Sequence, residues 1–142
     1  MIEPSEVMRR KNQAFNAQDT EETMRHFSPT VAMATPIGAL SGREQVGQFF
    51  AAFWEAFPDL WLTVEDEIAE GEKVALQLRC KGTHLGTFRA PGGEIPATGR
   101  QLDLAMSDHV RVADGQIVAV QLYFDQVSLL VQLGAMPVAS TS

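Results

Sequence analysis

RQLDLAMSDHVRVADGQIVAVQLYF, residues 100–124, decides how the rest of the chain is read. Apart from Asp108, apolar side chains recur at every second position from Leu102 to Val112 and again from Val118 to Phe124, the period of a strand with one buried face. Asp114-Gly115 breaks the run, so the stretch predicts a long hairpin: Arg100 to Val112, a turn, and a return from Ile117 to about Phe124. A three-residue Ala113-Asp114-Gly115 loop, with Gly115 left-handed and making a bulge, sets Val110 opposite Val118, Asp108 opposite Val120 and Met106 opposite Leu122. One face then carries Leu102, Leu104, Met106, Asp108, Val110, Val118, Val120, Leu122 and Phe124. The other carries Asp103, Ser107, His109, Arg111, Ile117, Ala119, Gln121 and Tyr123. A two-residue Asp-Gly loop slips the pairing by one and mixes the faces, so the bulged register is expected. It makes Asp108 the one charged group on an apolar face. A carboxylate there loses solvation and its pKa rises, which suits an acid or a poised base near neutral pH.

Upstream of the hairpin the period is helical. Pro4-Ser5 opens a first helix with Val7, Met8, Ala14 and Phe15 on one side. Asp19 and Glu22 form a capping box for a short second helix, with Met24 and Phe27 inward and Pro29 as its stop. Thr30 to Thr35 reads as a short strand ended by Pro36 and Gly38. Ser41-Gly42-Arg43-Glu44 caps a third helix whose stripe is Val46, Phe49, Phe50, Phe53, Trp54 and Phe57, closed by Pro58. The period then returns to two. Leu60, Leu62, Val64 and Ile68 alternate with polar neighbours as a half-buried strand. Glu70-Gly71-Glu72 turns the chain into a second strand bearing Val74, Leu76, Leu78 and Cys80. Residues 82–99 read as an interrupted hairpin and loop, Asp125 to Leu133 as a closing helix ended by Gly134 and Pro137, and 136–142 as a frayed tail. The order predicts one α+β domain over 1–142: three N-terminal helices on a strongly curved, mixed or antiparallel sheet, with a short C-terminal helix.

Composition narrows the partners. Eleven Lys and Arg face 18 Asp and Glu, a net charge of −7, the wrong sign for a nucleic-acid surface. One cysteine, Cys80, excludes a disulfide framework and a Cys-rich metal site. His26, His84 and His109 are scattered, so no zinc site is expected. No apolar run is long enough to span a bilayer, and the first residues lack a secretory pattern, so a cytoplasmic protein is expected.

Six motifs follow one another along the chain: Phe57-Pro58-Asp59-Leu60, Gly82-Thr83-His84-Leu85-Gly86, Pro96-Ala97-Thr98-Gly99-Arg100, Asp114-Gly115-Gln116-Ile117, Tyr123-Phe124-Asp125 and Leu130-Val131-Gln132-Leu133-Gly134. Together they resemble the SnoaL-like polyketide cyclases of the nuclear-transport-factor-2-like (NTF2-like) superfamily, over nearly the whole chain. The resemblance implies a cone-shaped fold that hosts cyclases, isomerases, dehydratases, epoxide hydrolases and non-enzymatic binders. In many such relatives the last strand reads Trp-Asp-x-x-Asp and its first aspartate is the acid/base. Here the segment is Gln121-Leu122-Tyr123-Phe124-Asp125, so Leu122 stands at that position and Asp125 is better placed to cap the final helix. The Tyr and Asn of the epoxide-hydrolase branch are also missing, because Met33-Ala34-Thr35 occupies that strand. Asp108 falls close to where the cyclase branch carries an assisting polar residue.

Two functions stay open. The first is a cofactor-independent cyclase- or isomerase-type lyase that moves protons on a hydrophobic carbonyl compound. Asp108 is its acid/base, and His84 orients the polar end of the substrate; His84 continues the apolar parity of Cys80 but could equally make a structural hydrogen bond in its turn. The second is a non-catalytic module that binds a small molecule or serves regulation. In either case the expected pocket is lined by Met33, Thr35, Phe53, Trp54, Phe57, Leu104, Met106, Val110, Val120, Leu122 and Phe124. No cofactor and no metal are expected. The expected partners are a hydrophobic ligand and a second copy of the chain, paired as a homodimer near Trp61 and Tyr123, with no nucleic acid and no membrane.

Overall fold

Pro4 stands in the first helical turn, where no N–H is needed, and starts α1 (Pro4–Asn16). The molecule is seen here as a computed structural model that describes residues 2–90 and 92–136. Asp19 caps α2 (Thr20–Arg25), its carboxylate accepting the Glu22 N–H at 3.1 Å. That helix ends at His26, earlier than expected. Phe27 and Pro29 belong instead to β1 (Phe27–Thr35), and the ladder to β8 is interrupted between Phe27 and Ala32, where Pro29 has no N–H to give. The chain then folds back as β2 (Gly38–Ser41), a strand that Pro36 and Gly38 concealed. Because Ser41 ends that strand, the expected Ser41–Glu44 capping box does not form. Gly42, at φ 90°, is the N-cap of α3 (Arg43–Ala56), and Gln45 Oε1 accepts the Ser41 N–H at 2.8 Å.

Next come β3 (Trp61–Glu70), β4 (Lys73–Thr83), a separate hairpin of β5 (Phe88–Ala90) and β6 (Gly93–Ile95), β7 (Gln101–Ala113), β8 (Gln116–Phe124) and α4 (Gln126–Gln132). The main sheet runs β2-β1-β8-β7-β4-β3 and is mixed, with β1 parallel to β8 and the other pairs antiparallel. Asp125 caps α4, accepting the Ser128 N–H at 3.1 Å, and is exposed. Of the expected frayed tail, residues 137–142 lie outside the described residues, and with them Pro137, expected to close the last helix.

Two bulges reset the faces. In β3 the pairing shifts between Val64 and Asp66, so Ile68 meets Ala75 on the outer face and is 69% exposed, instead of continuing the buried side of Leu62. Val64 is exposed as well, so β3 is less buried than its alternation predicts. In the β7–β8 hairpin the turn is the two-residue one: Ala113 pairs with Gln116, and Asp114 (φ 53°) and Gly115 (φ 77°) are both left-handed. Arg111 pairs with Ala119 but Val112 with Ile117, so Val118 is the extra residue of a bulge. Asp108 therefore lies opposite Leu122, not Val120, and Ile117 turns inward to the buried face. The correction moves the register by two positions, which leaves Asp108 on the apolar face. The helices cover that face, with Phe15, Phe50, Phe53 and Trp54 at the centre of the core.

Candidate functional site

A narrow cavity of about 40 Å³ opens between α1, α3 and the inner face of the sheet. Its wall is almost entirely apolar: five phenylalanines (15, 27, 49, 50 and 53), Met8, Met33, Met106, Cys80 and the aliphatic side chains of β3, β4, β7 and β8. Two charged residues reach it, Asp108 from β7 and Lys11 from α1. Room for roughly three waters, at ~10–15 Å³ each, is too little for a large ligand. The unbranched Met8, Met33 and Met106 and the half-buried Phe49 are the side chains that can swing to enlarge it.

Asp108 is 5% exposed, and its Oδ1 has no hydrogen-bond partner. Burial pushes its carboxyl above the ordinary 3.8, opposed by the charges of Lys11 and, through the sheet, His109. Lys11 is 4% exposed. Its Nζ donates to Asn12 Oδ1 at 3.2 Å and stands 5.1 Å from the ring centroids of Phe15 and Phe50 and 6.0 Å from that of Phe27. Burial lowers its amine below the ordinary 10.5, opposed by Asp108. Each residue is thus the other's counter-charge, yet no N···O distance between them falls within 4.0 Å.

Magnitudes decide what such a pair does. In water, the gap between 10.5 and 3.8 holds the charged forms roughly 9 kcal/mol below the neutral ones, at about 1.36 kcal/mol per pH unit. Burying each ion costs several kcal/mol. Their attraction beyond 4 Å returns at most about 4 kcal/mol in an effective dielectric near 20. The charged and neutral pairs come within a few kcal/mol of each other. Burial thus works against both charges, and the attraction between them only partly offsets it.

Lys11 is absent from the sequence expectations, although its signal was present. It stands four residues from both Val7 and Phe15, in the same buried stripe of α1. Of the expected pocket residues, Met33, Phe53, Leu104, Met106, Val110, Val120 and Leu122 line the cavity. Thr35, Trp54, Phe57 and Phe124 do not. Thr35 lies in the β1–β2 turn, where its hydroxyl donates to the Gly38 carbonyl at 2.7 Å. Trp54 packs on Phe15 and Phe50, Phe57 on Phe88 and His84, and Phe124 edge-on to Phe53, all within the core around the cavity.

His84 is not brought to Asp108. It pairs at the level of Arg100, eight residues along β7 from Asp108, roughly 25 Å of strand. Fully buried, its Nδ1 accepts the Thr98 N–H at 3.3 Å and lies 2.9 Å from the Thr98 hydroxyl. Burial lowers its pKa, opposed by the carbonyls of Ile95 and Gly86. Its backbone locks three motifs together: His84 N–H donates to Arg100 O, Gly99 N–H to His84 O, and the Leu85 and Gly86 N–H groups to Ala56 O. Asp59 completes this clasp, accepting the Thr83 N–H and hydroxyl at 2.7 Å each. A Cβ on Gly86 would come within 2.1 Å of Glu55 O, so only glycine fits that approach. His26 is buried with Nε2 3.3 Å from Glu22 Oε1, and His109 is exposed on the outer face against Tyr123. Among the described residues no group of three or more His, Cys, Asp or Glu could hold a metal ion, and no helix is long and apolar enough to cross a membrane.

The architecture has well-matched counterparts. AclR from Streptomyces galilaeus, a candidate hydroxylase, is 27% identical with a TM-score of 0.82, over 97% of this chain and 85% of that one. IdmH from Streptomyces antibioticus, a candidate polyketide cyclase, is 30% identical with a TM-score of 0.79, over 94% of this chain and 99% of that one. An NTF2-like protein of unknown function from Cytophaga hutchinsonii, 17% identical with a TM-score of 0.68 over 92% and 96% of the two chains, shares the fold alone. No curated protein matches the chain significantly. Residues 5–133 match the family model for SnoaL-like polyketide cyclases. With its N-terminal helices on a six-stranded mixed sheet, its NTF2-like architecture and that match across almost its whole length, the chain belongs to the SnoaL-like polyketide cyclase family.

Proposed function

We propose that this protein is a cofactor-independent acid–base catalyst acting on a hydrophobic carbonyl compound, in the manner of a polyketide cyclase. One observation carries the reading: Asp108, its Oδ1 without a partner, is buried in the wall of an apolar cavity that a second buried ionisable group, the Lys11 amine, also lines. As the neutral acid, Asp108 donates to a carbonyl oxygen as an enol or carbinol forms. As the carboxylate, it removes a proton from the adjacent carbon. Its place supports the same reading. Asp108 pairs directly with Leu122, the position where relatives carry their aspartate, so the carboxyl stands one strand over on the same face.

Asp108→Asn keeps the shape and removes the titration. With a panel of aromatic and polyketide-like ketones as probes, it should abolish turnover while binding, read as a rise in melting temperature, survives. An Asp108 carboxyl midpoint near pH 4 by NMR would overturn the proposal. The aliphatic side chain at Leu122 favours the second reading, a binding module, and turnover-free binding by the native chain would establish it. The exposed Trp61, Ile68 and Tyr123 on the outer face of the sheet support a homodimer through that face. Sedimentation showing only monomer at micromolar concentration would remove it.

A further inference from the structure

A lysine kept for its charge alone would carry its amine to water or against a carboxylate. Lys11 does neither. Its Nζ ends among three phenylalanine rings with a single hydrogen bond, to Asn12 Oδ1. It occupies the middle of the Val7–Lys11–Phe15 stripe, where an aliphatic residue would pack at lower cost. A local rule broken this way, at the wall of a cavity, marks a functional residue. The amine and Asp108 are the two ionisable side chains of the same apolar space apart from the Cys80 thiol, which burial pushes up to about 12 and keeps inert.

We propose that Lys11 is a covalent catalyst: its ε-amine condenses with an aldehyde or ketone in the cavity to form an imine, and Asp108 carries the protons. The inference rests on the reading that this cavity takes a carbonyl compound. The amine lone pair forms the N–C bond while the carbonyl π pair moves to oxygen. Asp108 protonates that oxygen and takes a proton from nitrogen, giving the carbinolamine. It then protonates the hydroxyl, the C–O bond breaks and water leaves. Neutral amine, carboxylic acid and carbonyl compound become an iminium, a carboxylate and water, with no redox change. The iminium makes the adjacent C–H bonds acidic, and the new carboxylate stands ready to remove one.

Trapping tests this directly. The chain has three lysines, and the other two, Lys73 and Lys81, are exposed on β4. Benzaldehyde with sodium cyanoborohydride at pH 7 converts an imine into a stable amine whose added mass is the aldehyde less one oxygen. Peptide mapping should find the label on Lys11 in several-fold excess over Lys73 or Lys81, since burial lowers its amine and raises the free-amine fraction. Lys11→Met and Lys11→Arg should both lose it, the arginine keeping the charge, and Asp108→Asn should slow it. Melting temperature with benzaldehyde and with benzyl alcohol reads binding separately. If both bind but Lys11 is unlabelled, or labelled no more than the exposed lysines, the imine is overturned and the Asp108 reading stands. If neither binds, both fall.

Discussion

Lys11→Met gives the sharpest view of how the buried pair holds its proton. Between pH 5 and 7 the unfolded chain carries one proton on this pair, on Lys11. The folded pair also carries one, whether it sits on the amine or on Asp108. Proton uptake is equal in the two states, so the pair contributes no slope to stability against pH. Lys11→Met removes that balance. The unfolded chain then binds no proton here. The folded chain holds a proton on Asp108 to higher pH than the unfolded chain does, because burial already raises its pKa and its main opposing charge is gone. The folded state binds more protons, so stability must fall as pH rises from about 3.8 toward the raised folded value. The limiting slope is about 1.4 kcal/mol per pH unit. Asp108→Asn reverses the sign. The unfolded lysine keeps its proton, the buried amine releases it, and stability rises with pH toward 10.5.

Urea unfolding followed by tryptophan fluorescence suits the assay, because Trp54 is 8% exposed and reports on the core. The other ionisable groups are common to every variant, so the quantity to compare is each variant's profile minus the native one. Opposite slopes in the two single variants, and none in the double, are expected. Flat difference profiles for both would mean that Asp108 stays ionised without Lys11 and Lys11 stays charged without Asp108. That result would refute the near-balance of the two forms and the chemistry drawn from it.

Cys80 should be almost unreactive in the native protein. With its thiol pushed up from 9.0 to about 12, the thiolate fraction at pH 8 is lower by roughly three orders of magnitude, and a thiol reagent reacting at the unfolded rate would contradict this. His84→Ala should cost about 2–4 kcal/mol, through the lost clasp and the void left, without moving the pH profile of any carbonyl turnover; a shifted profile would return His84 to the chemistry. The exchange Asp108→Leu with Leu122→Asp moves the carboxyl across one strand spacing on the same face. It should fold within about 2 kcal/mol of the native chain, whereas Leu122→Asp alone places two carboxyls side by side and should lose more, above all at high pH. Equal losses in the urea assay would show that the pair does not face the cavity as described.

Much of this architecture is legible in the sequence because burial periodicity is a strong signal. α1, the aromatic stripe of α3, β4 and the β7–β8 hairpin all follow from it. Elements defined by pairing partners are harder to see. β2 is four residues long and carries no periodicity of its own, and the start of β1 is masked by Pro29. In the site, Asp108 stands out because a charge interrupts an alternating apolar face. Lys11 does not, because a lysine on a helix is ordinarily read as a solvated face, and only its spacing from Val7 and Phe15 argues otherwise. His84 misleads for a different reason. Parity assigns it the face of Cys80 correctly, but parity carries no information about distance along the strand.

The bulge at Val118 is what gives Asp108 its environment. With the two-residue Asp114-Gly115 turn and no extra residue, every partner on β8 would slip by one, and Asp108 would face Gln121 instead of Leu122. The inner face of β8 would then present Ala119, Gln121 and Tyr123, while Val120 and Leu122 turned to solvent. A glutamine amide beside the carboxyl could donate to it and favour the ionised form. The extra residue restores the alternation. It puts Val120 and Leu122 against the core, leaves the Asp108 Oδ1 without a donor, and leaves the Lys11 amine as its main counter-charge. A single inserted residue in one strand thus converts a carboxyl that a neighbour would solvate into one buried without a donor.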